Sequence, residues 1–210
     1  MACRKPTFEH ESEIATRGFR FIAGIDEVGR GALAGPVAAA SVILPIDIEH
    51  RSIDWIGTVR DSKQLSPKRR EALFNLIQMS AIAIGVGMVD PVDIDAKGIV
   101  EATRCAMCMA VDQLVQSPDF LLIDAIAIPS ITIPQRNIIK GDEQCLSIAC
   151  ASIVAKVTRD RYMMEMDRSY PGYALANNKG YGTKQHMMGL EILGTSCIHR
   201  RTFVPDRMIS

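Results

Sequence analysis

Two adjacent carboxylates at the end of an apolar run constrain the fold of this chain more than any other feature. The run from Phe21 to Leu44 reads FIAGIDEVGRGALAGPVAAASVIL, and the acids in it are Asp26 and Glu27. Phe21 to Val28 predicts a buried strand, and Val37 to Leu44 predicts a second strand that pairs with it as a hairpin. A buried carboxylate costs free energy without a partner, so a cation or a proton is expected at this strand end.

The glycine-rich segment after these acids has more than one interpretation. Gly29, Gly31 and Ala34 match the spacing of a dinucleotide-binding fingerprint, which places a pyrophosphate at the N-terminus of a helix. The residues that follow predict a strand instead of that helix, and the two acids would repel a pyrophosphate. An exposed hairpin with solvated acids is the plain alternative. Glycines also allow a backbone to approach another molecule closely, which is the functional interpretation.

Charge and cysteine spacing narrow the class of protein. Twenty-four basic and 24 acidic residues cancel in 210, so a nucleic-acid partner would have to meet a local basic surface. The N-terminus has no apolar signal segment and no run is long enough to span a membrane, which predicts a cytoplasmic protein. Cys105 and Cys108 form a C-x-x-C without a second pair. Reduced thiols are therefore expected at all six cysteines: Cys3, Cys105, Cys108, Cys145, Cys150 and Cys197.

Predicted strands and helices alternate along the rest of the chain, which indicates an α/β fold. Residues 1–18 are expected to be irregular or a short helix, and residues 45–60 a loop with Trp55 half-buried. Ser66 caps a helix that opens at Pro67, and Asp93 or Asp95 caps another. The remaining predicted elements are strands at 81–89, 120–123 and 137–139, and helices at about 96–116, from about 144, and at about 184–193.

Three predicted strand ends present carboxylates. Asp26 and Glu27 end the first strand, Asp124 ends the strand at 120–123, and Asp142 follows the strand at 137–139. Catalytic groups gather at the carboxyl ends of parallel strands, so these acids are expected to converge. Carboxylates suit Mg²⁺ or Mn²⁺, and two such ions about 3.5 to 4 Å apart can hydrolyse a phosphodiester. Since neighbouring strand residues point to opposite faces, Asp26 is expected to be the central ligand.

Cations and one aromatic ring accompany the acids. Taken singly, each charge would most often be a solvated surface group. Their shared partner, if they cluster near the glycine-rich turns, would be phosphate. The group consists of Arg30, Lys63, Lys140, Lys156, Arg159, Lys179, Tyr181, Lys184, His199 and Arg200.

Six segments together resemble ribonuclease HII, in order and from about Phe21 to Pro205. They read GIDEVGRGALAGPV, DSKQLSPKRR, LLIDA, IIKGDEQCLSIACASIVAKVTRDR, NNKGYGTKQH and HRRTFVP. The resemblance implies a ribonuclease H-like fold over residues 19–210, after an N-terminal extension of residues 1–18. In that fold helices flank a mixed sheet, and a C-terminal helical portion forms one wall of the nucleic-acid groove. It also implies hydrolysis of the RNA strand of RNA/DNA hybrids and nicking 5′ of single ribonucleotides in duplex DNA, leaving a 3′-hydroxyl and a 5′-phosphate.

The resemblance carries roles to individual residues. It implies that two Mg²⁺ or Mn²⁺ ions are bound by Asp26, Glu27, Asp124 and Asp142. It implies that the backbone of Gly29, Arg30 and Gly31 reads the ribose 2′-hydroxyl, and that Tyr181 packs on the deoxyribose after the ribonucleotide. It implies phosphate contacts for Ser62, Lys63, Lys156 and Arg159.

Two positions depart from the family pattern. Ala32 stands where proline is frequent in the family, which bears on the rigidity of the loop. Ala125 stands where glycine follows the acid in the family, which bears on the orientation of the Asp124 side chain. The expected partners are RNA/DNA hybrids and ribonucleotide-containing duplexes, bound by a monomer without membrane contact. The C-terminal RMIS offers no clear sliding-clamp motif. A hybrid-binding protein without catalysis is the alternative function, and a nucleotide-binding oxidoreductase is a remote one.

Overall fold

Five strands form one mixed sheet at the centre of this protein, seen in a computed structural model that describes residues 5–48 and 54–208. The strands are β1 (Ile22–Val28), β2 (Val37–Ile43), β3 (Ala83–Val89), β4 (Phe120–Asp124) and β5 (Gln135–Ile138). Their order in the sheet is β3-β2-β1-β4-β5. β1, β2 and β3 pair antiparallel, whereas β1, β4 and β5 run parallel. The predicted α/β fold with a mixed sheet is confirmed.

Helices cover both faces of the sheet. They are α1 (Glu9–Thr16), α2 (Pro67–Ser80), α3 (Pro91–Lys97), α4 (Ile99–Asp112), α5 (Leu146–Ser169), α6 (Leu175–Asn178) and α7 (Lys184–Leu193). Short 3₁₀ turns lie at Ile56–Thr58, Ser62–Gln64, Gly141–Glu143 and Asp206–Met208. On one face, α5 packs on β1 and β2, and α2 packs on α5, in a cluster that includes Phe74, Ile77 and Ile153. On the other face, α4 packs on β1 and β2 through Met107 and its neighbours.

The hairpin of β1 and β2 settles the interpretation of the glycine-rich segment. Asp26 pairs with Ala40 in an antiparallel register, so a strand and not a helix follows the loop. A dinucleotide fingerprint requires a helix at this point to receive the pyrophosphate. The dinucleotide interpretation is therefore wrong, and residues 29–36, which we call the glycine loop, connect two central strands.

Close packing of α5 on β1 depends on Gly24. A Cβ atom at Gly24 would lie 2.2 Å from the carbonyl carbon of Ser147, in the first turn of α5. Only a glycine leaves room for a helix backbone at that distance. This approach sets the first turns of α5 directly beside the strand that carries Asp26.

Several local predictions need correction. The single helix predicted at 96–116 is two helices, because Gly98 adopts a φ of +78° that ends α3 before α4 begins. Asp95 does not cap a helix; its carboxylate accepts the main-chain N–H groups of Arg201 and Thr202. Trp55 is 8% exposed and thus buried instead of half-buried. The fifth strand lies at Gln135–Ile138, about two residues earlier than predicted.

Other predictions hold. Pro67 opens α2, and the Ser66 hydroxyl accepts the N–H of Arg69 as an N-cap. The last predicted helix is α7 (Lys184–Leu193), and it packs with the end of α5 in a cluster that includes Met163, Tyr173 and Leu190. This cluster is the C-terminal helical portion that the resemblance implied.

The described part of the N-terminal extension packs onto the sheet domain. Ile14 of α1 is buried in a cluster with Ile22, Phe120 and Ile148, and Thr7 forms a β-bridge with Cys145. The expected boundary at residue 18 stays a prediction.

Thiols and helices in the described chain give two further findings. The five cysteines that the structure describes are free thiols, and Cys3 lies outside the described residues. Within the described ranges, every helix is too short or too polar to traverse a lipid bilayer.

Candidate active site

Three strand ends bring the four predicted acids to one edge of the sheet. In the parallel pair of β1 and β4, Ile25 lies opposite Ile123, so Asp26 and Asp124 follow side by side. Neighbouring strands lie about 4.8 Å apart, which places the two acids next to each other. The 3₁₀ turn after β5 carries Asp142, and the N–H of Gly141 in this turn donates to Asp124 Oδ1 at 2.8 Å. We call Asp26, Glu27, Asp124 and Asp142 the acid edge.

Carboxylates of the acid edge bond to nearby donors. Asp26 Oδ1 accepts the N–H of Glu27 at 2.7 Å, and Glu27 Oε1 accepts from Arg30 Nη1 at 3.2 Å. Glu27 Oε2 is buried and has no hydrogen-bond partner among the described residues. As placed, no three His, Cys, Asp or Glu side chains of the described chain are arranged to hold a metal ion. Binding an ion at this edge would therefore require the carboxylate side chains to rotate toward a shared centre.

Burial and mutual repulsion perturb the titration of these acids. Burial raises the pKa of Asp26 well above its ordinary value, and the charges of Glu27, Asp124 and Asp142 add to the increase. Burial also raises the pKa of Glu27, which Arg30 partly counteracts. The pKa of Asp142 rises to about 6, first through burial and then through Asp124. When all of these acids are ionised, the edge carries more negative charge than its protein partners neutralise.

This edge fits a divalent cation by its chemistry. All four side chains offer hard oxygen donors, which Mg²⁺ and Mn²⁺ prefer. The partnerless oxygen of Glu27 and the raised pKa of Asp142 both identify negative charge that a bound cation would offset. The residues present therefore suit the ion type that the sequence predicted.

One lysine stands close to the acid edge. Lys63 lies in the 3₁₀ turn Ser62–Gln64, and Asp61 caps this turn by accepting the N–H of Lys63 at 2.9 Å. Partial burial lowers the pKa of Lys63, but Asp61, Asp26 and Asp142 together outweigh burial and raise the pKa above its ordinary value. The ammonium group is thus held charged within reach of the acids.

Two adjoining cavities connect the acid edge to the other predicted site residues. One cavity of about 280 Å³ is lined by Glu27, Val28, Ser62, Lys63, Ser152, Lys156 and Tyr181. A second cavity of about 220 Å³ is lined by Glu27, Val28, Gly29, Arg30, Gly31, Lys63 and Tyr181. Both cavities share Glu27, Val28, Lys63 and Tyr181. The structure therefore places the glycine loop and the tyrosine of KGYGT around one depression next to the acids.

The two glycines of the GRG segment differ in their surroundings. Gly29 has a φ of +87°, and a Cβ there would lie 2.2 Å from Arg159 Nε. Gly31 is exposed, and no described atom lies within 4 Å of where its Cβ would be. Arg30 between them is 39% exposed and forms an ion pair with Glu27. Gly29 is thus a packing position, whereas Gly31 presents bare backbone to the cavity side.

Arg159 does not take the role that the resemblance implied. It is fully buried, and its guanidinium donates to the carbonyl oxygens of Pro36 at 2.8 Å, Ala34 at 3.1 Å and Lys179 at 2.8 Å. The prediction that Arg159 contacts phosphate is wrong, because a fully buried guanidinium that is bonded to three carbonyls cannot reach a phosphate. Its carbon Cζ lies 5.6 Å from the centre of the Tyr181 ring.

Ser62 and Lys156 also have partners of their own. The Ser62 hydroxyl is buried and shares a hydrogen bond of 2.9 Å with the Ser152 hydroxyl. Lys156 is 15% exposed and pairs with Asp160 at 2.7 Å. Both side chains line the first cavity, so phosphate contacts at these two positions stay predictions.

Sequence reasoning missed two residues that support the acid edge. Interaction with the Ser152 side chain partly lowers the pKa of Asp26. Asp61 raises the pKa of Asp142 by repulsion while it holds the turn of Lys63. A capping aspartate before a short turn was a readable signal for Asp61. Ser152 gave no signal, because a serine on a buried helix face has many structural uses.

The two departures from the family pattern have local structural consequences. Ala125, directly after Asp124, adopts a φ of +53°, in the left-handed region that favours glycine. Its N–H donates to the carbonyl oxygen of Ile138 at 3.1 Å, which keeps the chain end of β4 against β5. Ala32, within the glycine loop, is fully buried. The backbone after Asp124 therefore carries a small strain that glycine would relieve.

Comparisons with known proteins agree with this geometry. The sequence profile of the family described as Ribonuclease HII matches residues 23–204. A Ribonuclease HII of Dehalococcoides mccartyi (strain ATCC BAA-2266 / KCTC 15142 / 195) is 52% identical over 200 residues, which cover 95% of this chain and 93% of that protein. The crystal structure of ribonuclease H2 from Pyrococcus horikoshii OT3 superposes with a TM-score of 0.72 at 26% identity, covering 86% of this chain and 92% of that one. RNase HII of Archaeoglobus fulgidus, solved in a complex with PCNA, gives 0.71 at 26% identity, covering 89% and 96%.

Proposed function

The chain belongs to the ribonuclease HII family, and on this basis we propose that it nicks duplex DNA 5′ of an embedded ribonucleotide, leaving a 3′-hydroxyl and a 5′-phosphate. Membership makes the chain an endoribonuclease that acts on RNA/DNA hybrids, in a family that depends on divalent metal ions. The observation that carries the finer proposal is the cavity that joins Glu27 of the acid edge to Gly31 and Tyr181. A hybrid-binding protein without catalysis is not favoured, because all four acids are present.

In the proposed site the acid edge holds Mg²⁺ or Mn²⁺. These ions, when bound, would supply activation of a water and charge neutralisation at the leaving 3′-oxygen. Asp26 is the central ligand in this proposal, because it is next to Glu27 in the sequence and lies beside Asp124 of the neighbouring strand. The buried, partnerless Glu27 Oε2 supports a cation in contact with this edge.

The chain itself binds and selects the substrate in this proposal. The backbone at Gly29, Arg30 and Gly31 lies beside the acids, where close approach to a ribose 2′-hydroxyl distinguishes RNA from DNA. The half-buried Tyr181 lines the same cavity, and in this proposal its ring packs on the deoxyribose that follows. Lys63 is the cation that both cavities share, and we assign it to the phosphate next to the scissile bond.

Removing one charge from the acid edge tests the catalytic assignment. Asp26→Asn keeps the shape of the side chain but removes its negative charge. We expect no cleavage of a duplex with one embedded ribonucleotide, with either Mg²⁺ or Mn²⁺. The exposed Asp112, at the far end of α4, provides the control variant Asp112→Asn, which should cleave like the unchanged protein. Full activity of Asp26→Asn would refute the assignment.

The tyrosine assignment has its own test. Tyr181→Ala should reduce cleavage at a single ribonucleotide more than cleavage of a continuous RNA/DNA hybrid, because only the former presents a ribonucleotide-to-deoxyribonucleotide junction at every cut. Tyr181→Phe keeps the ring and should retain the preference. Equal losses of Tyr181→Ala on both substrates would remove the sensing role but leave the nuclease assignment intact.

Two statements about partners stay predictions. The chain is expected to act as a monomer. The archaeal relative was solved with PCNA, but a sliding-clamp partner for this chain has no sequence motif in its support.

A further inference from the structure

Two buried histidines lie next to the main chain at Tyr181. His186 in the first turn of α7 is fully buried, and His199 in the HRRTFVP segment is 2% exposed. Their Nε2 atoms are 3.1 Å apart, which is a hydrogen-bond distance. The ring of Tyr173 covers His199 with its centre 4.6 Å away. The described acids and thiols do not form a metal-binding group with these rings, so their chemistry is that of hydrogen bonding.

Neighbouring groups determine where each ring carries its proton. The N–H of Ser196 donates to His199 Nδ1 at 3.0 Å, and the Ser196 hydroxyl lies 2.9 Å from the same nitrogen. Because a main-chain N–H can only donate, we assign Nδ1 as an acceptor without hydrogen, and the hydroxyl can donate to it as well. A neutral His199 must then hold its hydrogen on Nε2, and it donates this hydrogen to Nε2 of His186. His186 in turn holds its hydrogen on Nδ1 and donates it to the carbonyl oxygen of Tyr181 at 3.0 Å. The three hydrogen bonds therefore run in one direction, from Ser196 to Tyr181.

Protonation of either neutral ring would disrupt this chain of hydrogen bonds. A proton on His199 Nδ1 would face the N–H of Ser196, and a proton on His186 Nε2 would face the N–H of His199. Burial lowers the pKa of His186, and burial together with His186 lowers the pKa of His199 to about 4. Both rings are thus neutral near pH 7, as the chain of hydrogen bonds requires.

We propose that His186 and His199 are positioning residues that fix the main chain from which the Tyr181 ring projects into the active-site cavity. The Tyr181 carbonyl oxygen accepts a second hydrogen bond from the N–H of Thr183 at 2.8 Å, and the N–H of Tyr181 donates to Asn178 at 3.0 Å. The peptide groups on both sides of Tyr181 are therefore held. The proposal rests on the junction-sensing role proposed for Tyr181.

The main chain at His199 also holds the glycine loop. His199 forms an antiparallel β-bridge with Ala34. The N–H of Gly35 donates to Ile198 and the N–H of Arg200 donates to Leu33, both at 2.8 Å. Residues 198–200 thus contact the glycine loop through their backbone. Through its side chain, His199 contacts His186, which bonds to Tyr181. The N–H groups of Leu33 and Ala34 also donate directly to the Gly180 carbonyl oxygen, at 2.8 and 3.2 Å, so the histidine segment is one of the contacts that set the separation between the two parts of the ribonucleotide site.

Histidine tautomers provide a test that does not depend on activity. Nitrogen-15 NMR of the histidine-labelled protein at pH 7 should show a neutral ring with hydrogen on Nε2 for His199. It should show a neutral ring with hydrogen on Nδ1 for His186, the less common form. The same tautomer on both rings, or a charged ring, would overturn the proposal. Because this measurement does not involve substrate, its failure is distinct from a failure of the proposed nuclease function.

Paired substitutions test the consequence for substrate choice. His186→Asn places an amide N–H where Nδ1–H lies and keeps the bond to Tyr181, whereas His186→Gln reaches His199 but loses that bond. We expect His186→Gln to lower the preference for a single ribonucleotide over a continuous hybrid, measured as a ratio of kcat/KM values, by about tenfold for one lost hydrogen bond. His186→Asn should keep most of the preference. Equal preferences in the two variants would overturn the proposal, and thermal melting verifies that both are folded.

Discussion

Arg159 is a cation that stabilises the structure of the site and does not bind the substrate. Its guanidinium underlies Gly29, bonds to the glycine loop at Ala34 and Pro36, and bonds to Lys179 next to the tyrosine turn. A buried guanidinium is retained only where hydrogen bonds compensate its desolvation, and three carbonyl oxygens do so here. A charged residue in a motif can therefore mark a site without touching the substrate.

Gly29 lies directly on this guanidinium, which leads to a prediction at the residue scale. Gly29→Ala combines a positive φ with a Cβ 2.2 Å from Arg159 Nε, so Arg159 must move. We expect a loss of about 3 kcal/mol in the free energy of unfolding, together with a loss of cleavage. Chemical denaturation and the ribonucleotide-duplex assay measure the two effects.

The control for Gly29 is its neighbour in the same motif. Gly31→Ala has no described atom within 4 Å of the new Cβ and no positive φ, so its stability should be nearly unchanged. A Gly31→Ala variant that is as unstable as Gly29→Ala would contradict the packing explanation.

At the scale of elements, the site is a meeting of strand ends with the first turns of one helix. β1 and β4 supply Asp26 and Asp124 side by side, and α5 supplies Ser152 to the Asp26 carboxylate. The contact between β1 and α5 at Gly24 therefore controls the geometry of the acid edge. A glycine in a strand lacks the side chain that would otherwise separate the helix from the sheet, so it allows a closer approach.

Gly24→Ala tests this element contact. A Cβ at 2.2 Å from a backbone carbon of α5 cannot be accommodated by a side-chain rotation, so the helix must shift. We expect the free energy of unfolding to fall by about 3 kcal/mol, and the residual activity of the folded fraction to fall as well. Gly57→Ala, in an exposed turn without described atoms within 4 Å of the new Cβ, should stay within about 0.5 kcal/mol of the unchanged protein. A stable, fully active Gly24→Ala protein would show that the contact is dispensable.

For the whole molecule, the balanced charge of 24 basic and 24 acidic residues conceals an uneven distribution. Negative charge is concentrated at the acid edge, where burial and repulsion raise the pKa of Asp26, Glu27 and Asp142. A group whose pKa is raised by folding contributes stability at low pH and loses that contribution as the pH rises through its folded value.

The direction of these pKa shifts predicts how pH and metal ions together affect the stability of the fold. Without divalent ions, the Asp142 contribution should be present below pH 4 and lost as the pH rises through about 6, a difference on the order of 2 kcal/mol. Added Mn²⁺ binds the ionised acids, so it should raise the melting temperature more at pH 8 than at pH 5. Thermal melts with and without chelator measure this, and Asp142→Asn should reduce the difference. Equal stabilisation by Mn²⁺ at both pH values would contradict it.

The sequence by itself determined most of the elements and which strands end in acids. Alternation of apolar residues, Ser66 with Pro67, and strands that end in Asp26 and Asp124 are local patterns whose physics acts over a few residues. The break at Gly98 was readable in principle, because glycine in a predicted helix is a known interruption.

Only the tertiary structure decided what the charged residues do. Arg159 and Lys156 lie three residues apart on one helix, yet one is fully buried against three carbonyl oxygens and the other lines a cavity. The hydrogen bonds of His186 and His199, and the contact of Ser152 with Asp26, join residues that are distant in sequence. Burial and long-range hydrogen bonding depend on the packing of the entire chain, so no local pattern encodes them.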